Sequence, residues 1–513
     1  MSEKPKRALN PWQKSFMLGV SSLALMAVFA LRLVRTIDGP VMPSGLEILD
    51  LMFSDLALGV GISLVSLAII GATERRALAV AILQGVHLFW LTIEGGAFNF
   101  FMTTRSPLDW QLVWFAFEQF DQIVSMVRAS TSPGLALLTL LMLLLVSVLP
   151  WFFHHRADPQ PEGTRPPSSK ALGLAGVIAI ALAWTPPLVF EDSMVRRNAT
   201  LTVIATGVEE LWRDADEDRS SGAASLEQAT IKPREGAPAR DVIIIVLEST
   251  RASATTIHNP ELATTPVMAE GAKGAMVFEN AFTLVPHTSK ALVTTLCGTE
   301  PMLDISIAGA APGGISRRCL ARLLGSQGYH TAFFQPAFAY FEHRYALVNT
   351  MEYDHLVSKE DLDHEAFASP NYLGVEDLAM IPPSEAWLSK IPKDERVFMT
   401  YLTLTPHHDY LSPKRYGFEE YDEAEEFNRY LNSVHYVDQF VANVIEMFKK
   451  QGRYEDTIFV ILGDHGEGFN EHGRSQHDNV IYQEGLHIPM LVHDPKLADK
   501  PREVEPRTSQ LDL

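Results

Sequence analysis

Near the carboxyl end of the chain, a β-branched run passes directly into an acid and a histidine. The run from Thr457 to Ile461 predicts a buried strand, and Asp464 and His465 follow it within the motif Ile-Leu-Gly-Asp-His-Gly-Glu. Side chains in that place lie at the carboxyl edge of the strand, where open α/β sheets hold their active sites. One hard oxygen and one borderline nitrogen form a suitable pair of ligands for a single divalent metal ion.

Three other segments, distant in sequence, carry groups that would complete such a site. Glu248 ends a second buried strand, Thr288 and Ser289 open an apolar helical stretch, and His407 and His408 follow a third strand. Taken singly, each has a structural explanation: a capping acid, an ordinary helix N-cap hydroxyl, or loop histidines. Taken together they are not required by core packing, and the sequence therefore predicts that the four segments converge.

The combination suits attack by a hydroxyl group on phosphorus. A threonine hydroxyl is a weak nucleophile at neutral pH, but a metal ion bound to its oxygen lowers its pKa and orients it. Glu248, Asp464 and His465 would hold this ion, with Thr288 as the fourth ligand. Histidines on the opposite side could bind non-bridging oxygens or protonate the leaving alkoxide. Backbone N–H groups at the start of the helix after Thr288 would face an anion.

The elements that position these residues alternate between strands and helices in the second half of the chain. One long helix is predicted from apolar residues spaced three and four apart. Such alternation is typical of a parallel-rich sheet with helices on both faces. The predicted strands cover residues 241–247, 396–402, 457–462 and 488–493, with a weaker candidate at 330–335. The buried face of the helix consists of Phe427, Leu431, Val434, Val437, Val441, Val444, Ile445 and Phe448.

Composition limits the classes of protein and of partner. The 513 residues are too many for one hydrophobic core, so two or more domains are expected. The 42 basic and 62 acidic residues give a net charge of −20, which argues against a nucleic-acid partner. The two cysteines, Cys297 and Cys319, would stay reduced in a cytosolic chain and favour a disulfide if this part lies outside the membrane.

The first 190 residues are strongly apolar, and their five apolar stretches predict five membrane-spanning helices, each about 20 residues long. The nearly unbroken aliphatic run from Leu135 to Leu149 disfavours the alternative, buried helices of a large soluble domain. The stretch 108–129 is aromatic but charged, which favours an interfacial helix over a sixth span. The predicted spans are 15–36, 50–72, 77–101, 133–153 and 171–190.

Loop charge sets the expected orientation. Lysines and arginines are more frequent in the loops that face the cytoplasm when the N-terminus is placed inside. Five crossings then put everything after about residue 190 on the far side of the membrane, which in a bacterium is the periplasm or outer surface. We therefore expect a transmembrane domain at 1–190, a linker at 191–240 and a catalytic domain at 241–513.

With the strand-end Glu248, the turn at Thr288 and the Gly-Asp-His-Gly motif, the chain resembles the membrane-bound branch of the alkaline phosphatase/sulfatase superfamily. This branch includes lipoteichoic acid synthases and related phosphoglycerol transferases, and lipid A phosphoethanolamine transferases. The resemblance implies a sulfatase-like α/β domain after the spans. It also implies that Glu248, Thr288, Asp464 and His465 hold the metal and that Thr288 is the nucleophile.

The same resemblance assigns substrate-binding positions. His407 matches the histidine of a substrate loop, and His477 matches a second substrate histidine, with His472 competing for that role. Arg344 corresponds to an arginine that contacts phosphate, although the residues before it differ from those of the phosphoglycerol enzymes, which leaves the headgroup open. Local disulfides are common in the family's secreted domains, so a bridge between Cys297 and Cys319 is expected.

The leading hypothesis is a metal-dependent transferase at the outer face of a bacterial cytoplasmic membrane. It would move a phosphoglycerol or phosphoethanolamine headgroup from a phospholipid donor to a glycan or lipid acceptor. The alternatives are a phosphodiesterase or phosphatase that uses water, a sulfatase, and a non-catalytic membrane sensor. A true sulfatase is disfavoured because Thr288-Ser289-Lys290-Ala291 lacks the Cys/Ser-x-Pro-x-Arg motif.

Two further expectations concern the metal and the end of the chain. Three oxygens and one nitrogen favour Mn²⁺, with Zn²⁺ and Mg²⁺ as alternatives. The resemblance implies that the Ser-Gln-x-Asp stretch at Ser509 to Asp512 is followed by further sequence, so the natural chain is expected to continue past Leu513.

Overall fold

In the computed structural model the chain forms two compact units, residues 1–212 and 213–513, each described by itself below. The structure describes residues 11–37, 45–73, 76–104, 108–118, 133–153, 168–185, 198–217, 230–232, 236, 238–301, 310, 315, 318–363, 365–477 and 480–513.

The described part of the first unit is helical, and the last of its helices continues into the second unit. The helices are α1 (Pro11–Ile37), α2 (Gly45–Ala72), α3 (Arg76–Thr104), α4 (Trp110–Glu118), α5 (Pro133–Phe153), α6 (Ser169–Ala183) and α7 (Ala199–Glu217). Small residues allow α2 and α6 to approach closely, since a Cβ on Gly61 would lie 2.9 Å from the carbonyl oxygen of Gly176.

Within the described residues, two helical segments, Met52–Ile70 and Leu78–Phe101, are long and apolar enough to cross a membrane. The other three predicted spans fall on α1, α5 and α6, whose apolar described parts are shorter. The end of the fifth predicted span and the second half of the stretch 108–129 lie outside the described residues. The five-span topology therefore stays a prediction.

Buried polar contacts join helices of the first unit. Arg32 Nε lies 3.5 Å from Asp55 Oδ2, and Asn198 Nδ2 donates to Asp55 Oδ1 at 2.7 Å. Thr200 donates from both its backbone N–H and its hydroxyl to Oε1 of Glu94, at 3.1 and 2.8 Å. Since buried charges in an apolar surrounding are costly without partners, these contacts fix the start of α7 against α2 and α3.

The second unit contains an eight-stranded mixed sheet in the order β12-β2-β11-β7-β1-β6-β4-β5, with a three-stranded sheet β10-β3-β13 and a two-stranded ribbon β8-β9. The five strands from β7 to β5 are parallel, whereas β11 runs antiparallel to both β7 and β2. The strands are β1 (Asp241–Leu247), β2 (Met276–Phe278), β3 (Ala281–Phe282), β4 (His330–Phe334), β5 (His355–Val357), β6 (Val397–Leu402), β7 (Thr457–Gly463), β8 (Gly468–Phe469), β9 (Ser475–Gln476), β10 (His487–Ile488), β11 (Met490–His493), β12 (Arg502–Val504) and β13 (Thr508–Ser509).

Helices cover both faces of the large sheet, as the alternation of elements predicts. Ile243 and Ile245 of β1 pack in one core with the long helix α13 (Glu425–Lys450), whereas Ile244 and Val246 pack in a second core with α9 (Thr288–Cys297). The predicted α/β architecture, a parallel-rich sheet with helices on both faces, is confirmed. The helices are α8 (Pro266–Ala272), α9 (Thr288–Cys297), α10 (Leu320–Gly325), α11 (Arg344–Thr350), α12 (Ile381–Leu388), α13 (Glu425–Lys450) and α14 (Gln483–Leu486).

Two local features of the second unit are a strand divided by a proline and a disulfide bond between two helices. The predicted strand 488–493 is interrupted at Pro489, which lacks a ladder N–H group, and divides into β10 and β11. The predicted disulfide is confirmed: Cys297, the last residue of α9, is bonded to Cys319, which precedes α10. The bridge therefore links the helix that begins at Thr288 to the next described helix.

Candidate metal centre and active site

Strand register brings the two acids of the site together. Leu247 of β1 pairs with Gly463 of β7 in parallel register, and the next residues in the two strands are Glu248 and Asp464. Both carboxylates are buried. The backbone N–H of Ser249 donates to Oδ1 of Asp464 at 2.9 Å, which fixes one carboxylate against the other strand end. The carboxyl edge predicted from the sequence thus carries both acids side by side.

Thr288 reaches this pair from a separate element, because it is the first residue of α9. Its hydroxyl oxygen lies 3.3 Å from Oε2 of Glu248 and 3.3 Å from Nε2 of His465. The N-cap residue, His287, makes no side-chain hydrogen bond to the first turn of the helix. The first turn therefore presents its backbone N–H groups where the nucleophile candidate lies, an arrangement that favours anions.

The residues present fit a divalent cation. Oδ2 of Asp464 is buried and has no hydrogen-bond partner among the described residues. It lies 3.3 Å from Nε2 of His465, which is in turn 3.7 Å from Oε1 of Glu248. Ligand atoms held tetrahedrally at about 2.1 Å from an ion lie about 3.4 Å from one another, so these spacings match a metal site.

The electrostatics of the same side chains agree with this fit. Burial raises the pKa of Glu248, and the charge of Asp464 raises it further. Burial also raises the pKa of Asp464 to about 6, so two buried carboxylates here lack a compensating charge. Burial lowers the pKa of His465 to about 3, and its Nδ1 lies 2.9 Å from the carbonyl oxygen of Gly466. A neutral imidazole that donates from Nδ1 to a carbonyl offers Nε2 to a metal ion.

Two of the predicted substrate histidines join the cluster. The ring of His477 lies with its centroid 4.3 Å from that of His465 and 5.5 Å from that of His407. Nδ1 of His407 lies 3.0 Å from the carbonyl oxygen of His408. Burial lowers the pKa of His407, and the neighbouring His477 lowers it further. The three rings form a continuous row that starts at the proposed metal ligands.

His472 has different surroundings. Its side chain is half exposed, its Nδ1 lies 2.6 Å from Oε1 of Glu484, and its ring stacks on Tyr482 with centroids 3.9 Å apart. These described contacts do not include the four candidate metal ligands. Of the two histidines that compete for the second substrate position, only His477 is therefore brought to the cluster.

Arg344 lies at the start of α11, and its side chain is buried. Its Nη2 lies 3.2 Å from Oε2 of Glu342, and the hydroxyl of Ser289 donates to the same oxygen at 2.6 Å. Burial lowers the pKa of Arg344, while the carboxylates of Glu342, Glu248 and Asp464 act in the opposite direction. Arg344 therefore belongs to the same charged surroundings as the two strand-end acids.

Sequence reasoning assigned no role to several residues that support the site. Glu467, two residues after His465, accepts hydrogen bonds from the Tyr410 hydroxyl at 2.6 Å and from His477 Nδ1 at 2.8 Å. Asp377 accepts from the backbone N–H groups of Leu404 and Thr405, just before His407. The final glutamate of the Asp-His-Gly-Glu motif was a visible signal for Glu467, whereas no local pattern marks Asp377.

Gln510 provides a further support from the end of the chain. Its Nε2 donates to the carbonyl oxygens of Gly463 and Asp464, at 3.1 and 2.7 Å, and its Oε1 accepts from Thr283 at 2.9 Å. The buried side chain of Gln510 thus holds the end of β7. The sequence signal for this residue is the Ser-Gln-x-Asp segment itself.

Comparisons with known proteins agree with this architecture. The curated relatives include the lipoteichoic acid synthase-like protein YvgJ of Bacillus subtilis, 25% identical over 317 residues, which are 57% of this chain and 49% of that protein. The ulvan-active sulfatase of Formosa agariphila is 22% identical over 298 residues, 52% of this chain and 58% of that enzyme. The chain thus spans about half the length of the curated relatives it matches.

Among solved structures, the fold is similar to that of the integral membrane protein lipooligosaccharide phosphoethanolamine transferase A of Neisseria meningitidis. That likeness has a TM-score of 0.58 at 16% identity and covers 99% of this chain and 94% of the other. The sulfatase family model matches residues 240–513, which is more than half of the 513 residues. This match shows that the chain belongs to the sulfatase family.

Proposed function

We propose that this protein is a metal-dependent phosphotransferase that uses Thr288 as its nucleophile. It takes a phosphoglycerol or phosphoethanolamine headgroup from a phospholipid and passes it to a glycan or lipid acceptor. The observation that supports this most strongly is the position of the Thr288 hydroxyl, 3.3 Å from both Glu248 and His465. The names of the relatives, a lipoteichoic acid synthase-like protein and a phosphoethanolamine transferase, support the same class of reaction.

In the first step the hydroxyl oxygen of Thr288 attacks the phosphorus atom of the donor, and the bond from phosphorus to the diacylglycerol oxygen breaks. Glu248, Asp464 and His465 would hold a divalent ion, for which Mn²⁺ is our first choice and Zn²⁺ or Mg²⁺ the alternatives. When bound, the ion supplies positive charge that stabilises the ionised form of the Thr288 hydroxyl. The proton of Thr288 passes to Oε2 of Glu248, 3.3 Å from the hydroxyl oxygen, because Nε2 of His465 is assigned to the ion.

In the second step a hydroxyl group of the acceptor gives its proton to His407 or His477 and attacks the same phosphorus atom. The bond from phosphorus to the Thr288 oxygen breaks, and that oxygen takes back its proton from Glu248. Arg344, His407 and His477 are assigned to the non-bridging oxygens of the phosphoryl group, and His407 and His477 also to proton delivery to the leaving oxygen. Arg344 is the natural anion ligand among them because its buried Nη1 has no hydrogen-bond partner in the described part of the chain. His472 remains the weaker candidate for binding the phosphoryl group, since its described contacts are with Glu484 and Tyr482.

Sulfatase chemistry is disfavoured by the cysteines. A formylglycine residue has to be made from a free cysteine or a serine in the appropriate motif, but Cys297 and Cys319 are bonded to each other. The residues after Thr288 also lack that motif. The disulfide is in keeping with a catalytic domain, proposed at 241–513, that lies in an oxidising compartment outside the cytoplasmic membrane. Five spans within residues 1–190 and a linker at 191–240 would place it there.

The test is the fate of a phospholipid in the presence of the purified full-length protein. After incubation with Mn²⁺ and mixed phospholipids, the peptide that contains Thr288 should gain the mass of glycerol phosphate or of ethanolamine phosphate. Thr288→Ala should lower turnover by at least about 10³-fold while the metal content is retained. Full activity of this variant would reject the mechanism, and release of a free headgroup without any transfer would favour a hydrolase.

A further inference from the structure

Glu342 occupies an unusual backbone position next to the site. Glu342 and the following His343 both have positive φ values, 51° and 48°. Two consecutive non-glycine residues in the left-handed region are sterically unfavourable and persist only where the surrounding structure enforces them. The turn that they form places the Glu342 carboxylate between the first turn of α9 and the guanidinium of Arg344.

Among the described residues, the Glu342 carboxylate has three hydrogen-bond or ion-pair partners, and each lies at the site. Ser289 donates its hydroxyl to Oε2 at 2.6 Å, Arg344 lies with Nη2 at 3.2 Å from the same oxygen, and Nε2 of His287 is 3.4 Å from Oε1. His287 and Ser289 flank Thr288 on either side. Burial would raise the pKa of Glu342, but His287, Arg344 and the Ser289 hydroxyl lower it to about 2, so the carboxylate is ionised.

Two other acids, Glu248 and Asp464, are near enough to attract the guanidinium of Arg344. Glu248 and Asp464 both act on its guanidinium, yet the ion pair that it makes is with Glu342. Its second terminal nitrogen, Nη1, is buried and has no hydrogen-bond partner among the described residues. Nη2 of the guanidinium is thus fixed by Glu342, and the buried N–H groups of Nη1 are left to bind an anion.

We infer that Glu342 is a positioning residue, which holds Arg344 and the first turn of α9 in the arrangement that binds the phosphoryl group. It keeps the guanidinium away from Glu248 and Asp464 and leaves Nη1 directed to substrate oxygen. This inference rests on the proposed function, because a phosphoryl group beside Thr288 is the anion concerned. It goes beyond that function by assigning a role to a carboxylate that carries no metal and touches no substrate.

The direction in which phosphate affinity changes when the charge of Glu342 is removed separates this role from a simple charge effect. A carboxylate that only repelled phosphate would, on its removal, let phosphate bind more tightly. If Glu342 positions Arg344, Glu342→Gln should instead weaken binding, since the charge-assisted bonds that fix the guanidinium are lost. We expect the affinity of the Mn²⁺-loaded full-length protein for orthophosphate to fall about 10- to 100-fold. Equal or tighter binding would overturn the inference.

Two further variants complete the experiment. Glu352→Gln is the matched control, because Glu352 also has a positive φ, 62°, and also pairs with an arginine, Arg322, but both side chains are more than a third exposed. It should leave phosphate affinity and turnover unchanged. Glu342→Asp keeps the charge and should restore a large part of the lost affinity; a loss as great as in Glu342→Gln would argue against positioning by the carboxylate.

The results distinguish failure of this inference from failure of the proposed function. If the wild-type protein neither binds orthophosphate nor transfers any headgroup, the proposed function is rejected whatever Glu342 does. If the wild type is active and Glu342→Gln loses only thermal stability, with phosphate affinity and KM intact, Glu342 is merely structural. The outcome that supports positioning is weaker phosphate binding and a raised KM at unchanged metal content and melting temperature.

Discussion

The Nδ1–H group of His477 donates a hydrogen bond of 2.8 Å to Oε2 of Glu467. Glu467 can only accept in this pair, because His477 and the Tyr410 hydroxyl outweigh the effect of its burial and keep the pKa of its carboxyl low. The ring of His477 therefore has a fixed tautomer and orientation beside His465, 4.3 Å away between centroids. Carboxylates that orient a histidine in this way are commonly as important as the histidine itself.

Glu467→Gln should therefore lower turnover by about 10- to 100-fold, because an amide cannot accept from His477 and Tyr410 equally. Steady-state transfer assays on the full-length protein measure this effect. Tyr410→Phe removes only the donor to Oε1 and should cost less. Glu395→Gln is a suitable control, since Glu395 also pairs with a histidine, His330, at an exposed position. Unchanged turnover in Glu467→Gln would show that the orientation of His477 is unimportant.

Metal binding should stabilise the protein through the strand-end acids. A ligand at 100 times its Kd adds about 2.7 kcal/mol to the free energy of unfolding. Mn²⁺ should therefore raise the melting temperature of the wild type by a few degrees, and Asp464→Asn should abolish the rise. Asp456→Asn, which changes an exposed aspartate paired with Lys496, should retain it. A rise of equal size in Asp464→Asn would mean that the stabilising ion is bound elsewhere.

Gln510 should affect metal affinity although it lies outside the ligand set. Gln510→Leu removes both hydrogen bonds to the carbonyl groups at the end of β7 and the bond from the Thr283 hydroxyl, which keeps the carbonyl oxygen of Val285 as an acceptor. Supporting residues of this kind change metal affinity by about 10- to 100-fold, and we expect the lower end of that range. Titration with Mn²⁺ measures it. Thr283→Val loses one of the three bonds and should have a smaller effect; an effect larger than that of Gln510→Leu would contradict this explanation.

Asp438 predicts a pH dependence that is independent of the metal centre. It accepts hydrogen bonds of 2.8 Å from the backbone N–H groups of Val267 and Met268, and burial raises its pKa to about 7 from 3.8. Between these values the native state keeps a proton that the unfolded state has lost. The contribution of Asp438 to stability is therefore greatest at low pH and falls by about 1.4 kcal/mol per pH unit as the pH rises toward 7.

Asp438→Asn cannot ionise, so the difference in melting temperature between wild type and variant should shrink as the pH rises from 5 to 8. Thermal unfolding of the full-length protein followed by tryptophan fluorescence measures this difference at each pH. A difference that stays constant from pH 5 to 8 would mean that Asp438 is ionised in the native state throughout this range.

The parts of the site that follow from local sequence were predictable. A β-branched run that ends in an acid signals a strand end, and so Glu248, Asp464 and His465 were identified without knowing which strands are neighbours. Sheet order is a property of distant segments. The adjacency of β1 and β7, and the antiparallel direction of β11, needed the structure for this reason.

Other residues could not be identified because their role depends on backbone geometry. The spacing after Asp464 allows either His472 or His477 near the centre, and only the path of the loop separates them. Glu342 depends on a left-handed turn formed by non-glycine residues, which no composition signal reveals. Asp377 acts on backbone N–H groups of a loop 27 and 28 positions away along the chain.

The pairing of Leu247 with Gly463 has an evolutionary consequence for the gene that encodes this protein. Exchanges among the aliphatic residues of the two strands leave both carboxylates opposite each other. An insertion or deletion of one codon in either strand alone turns the acid that follows it toward the other side of the sheet. The identities of the aliphatic residues in these two strands can therefore change without separating the acids, whereas the number of residues cannot.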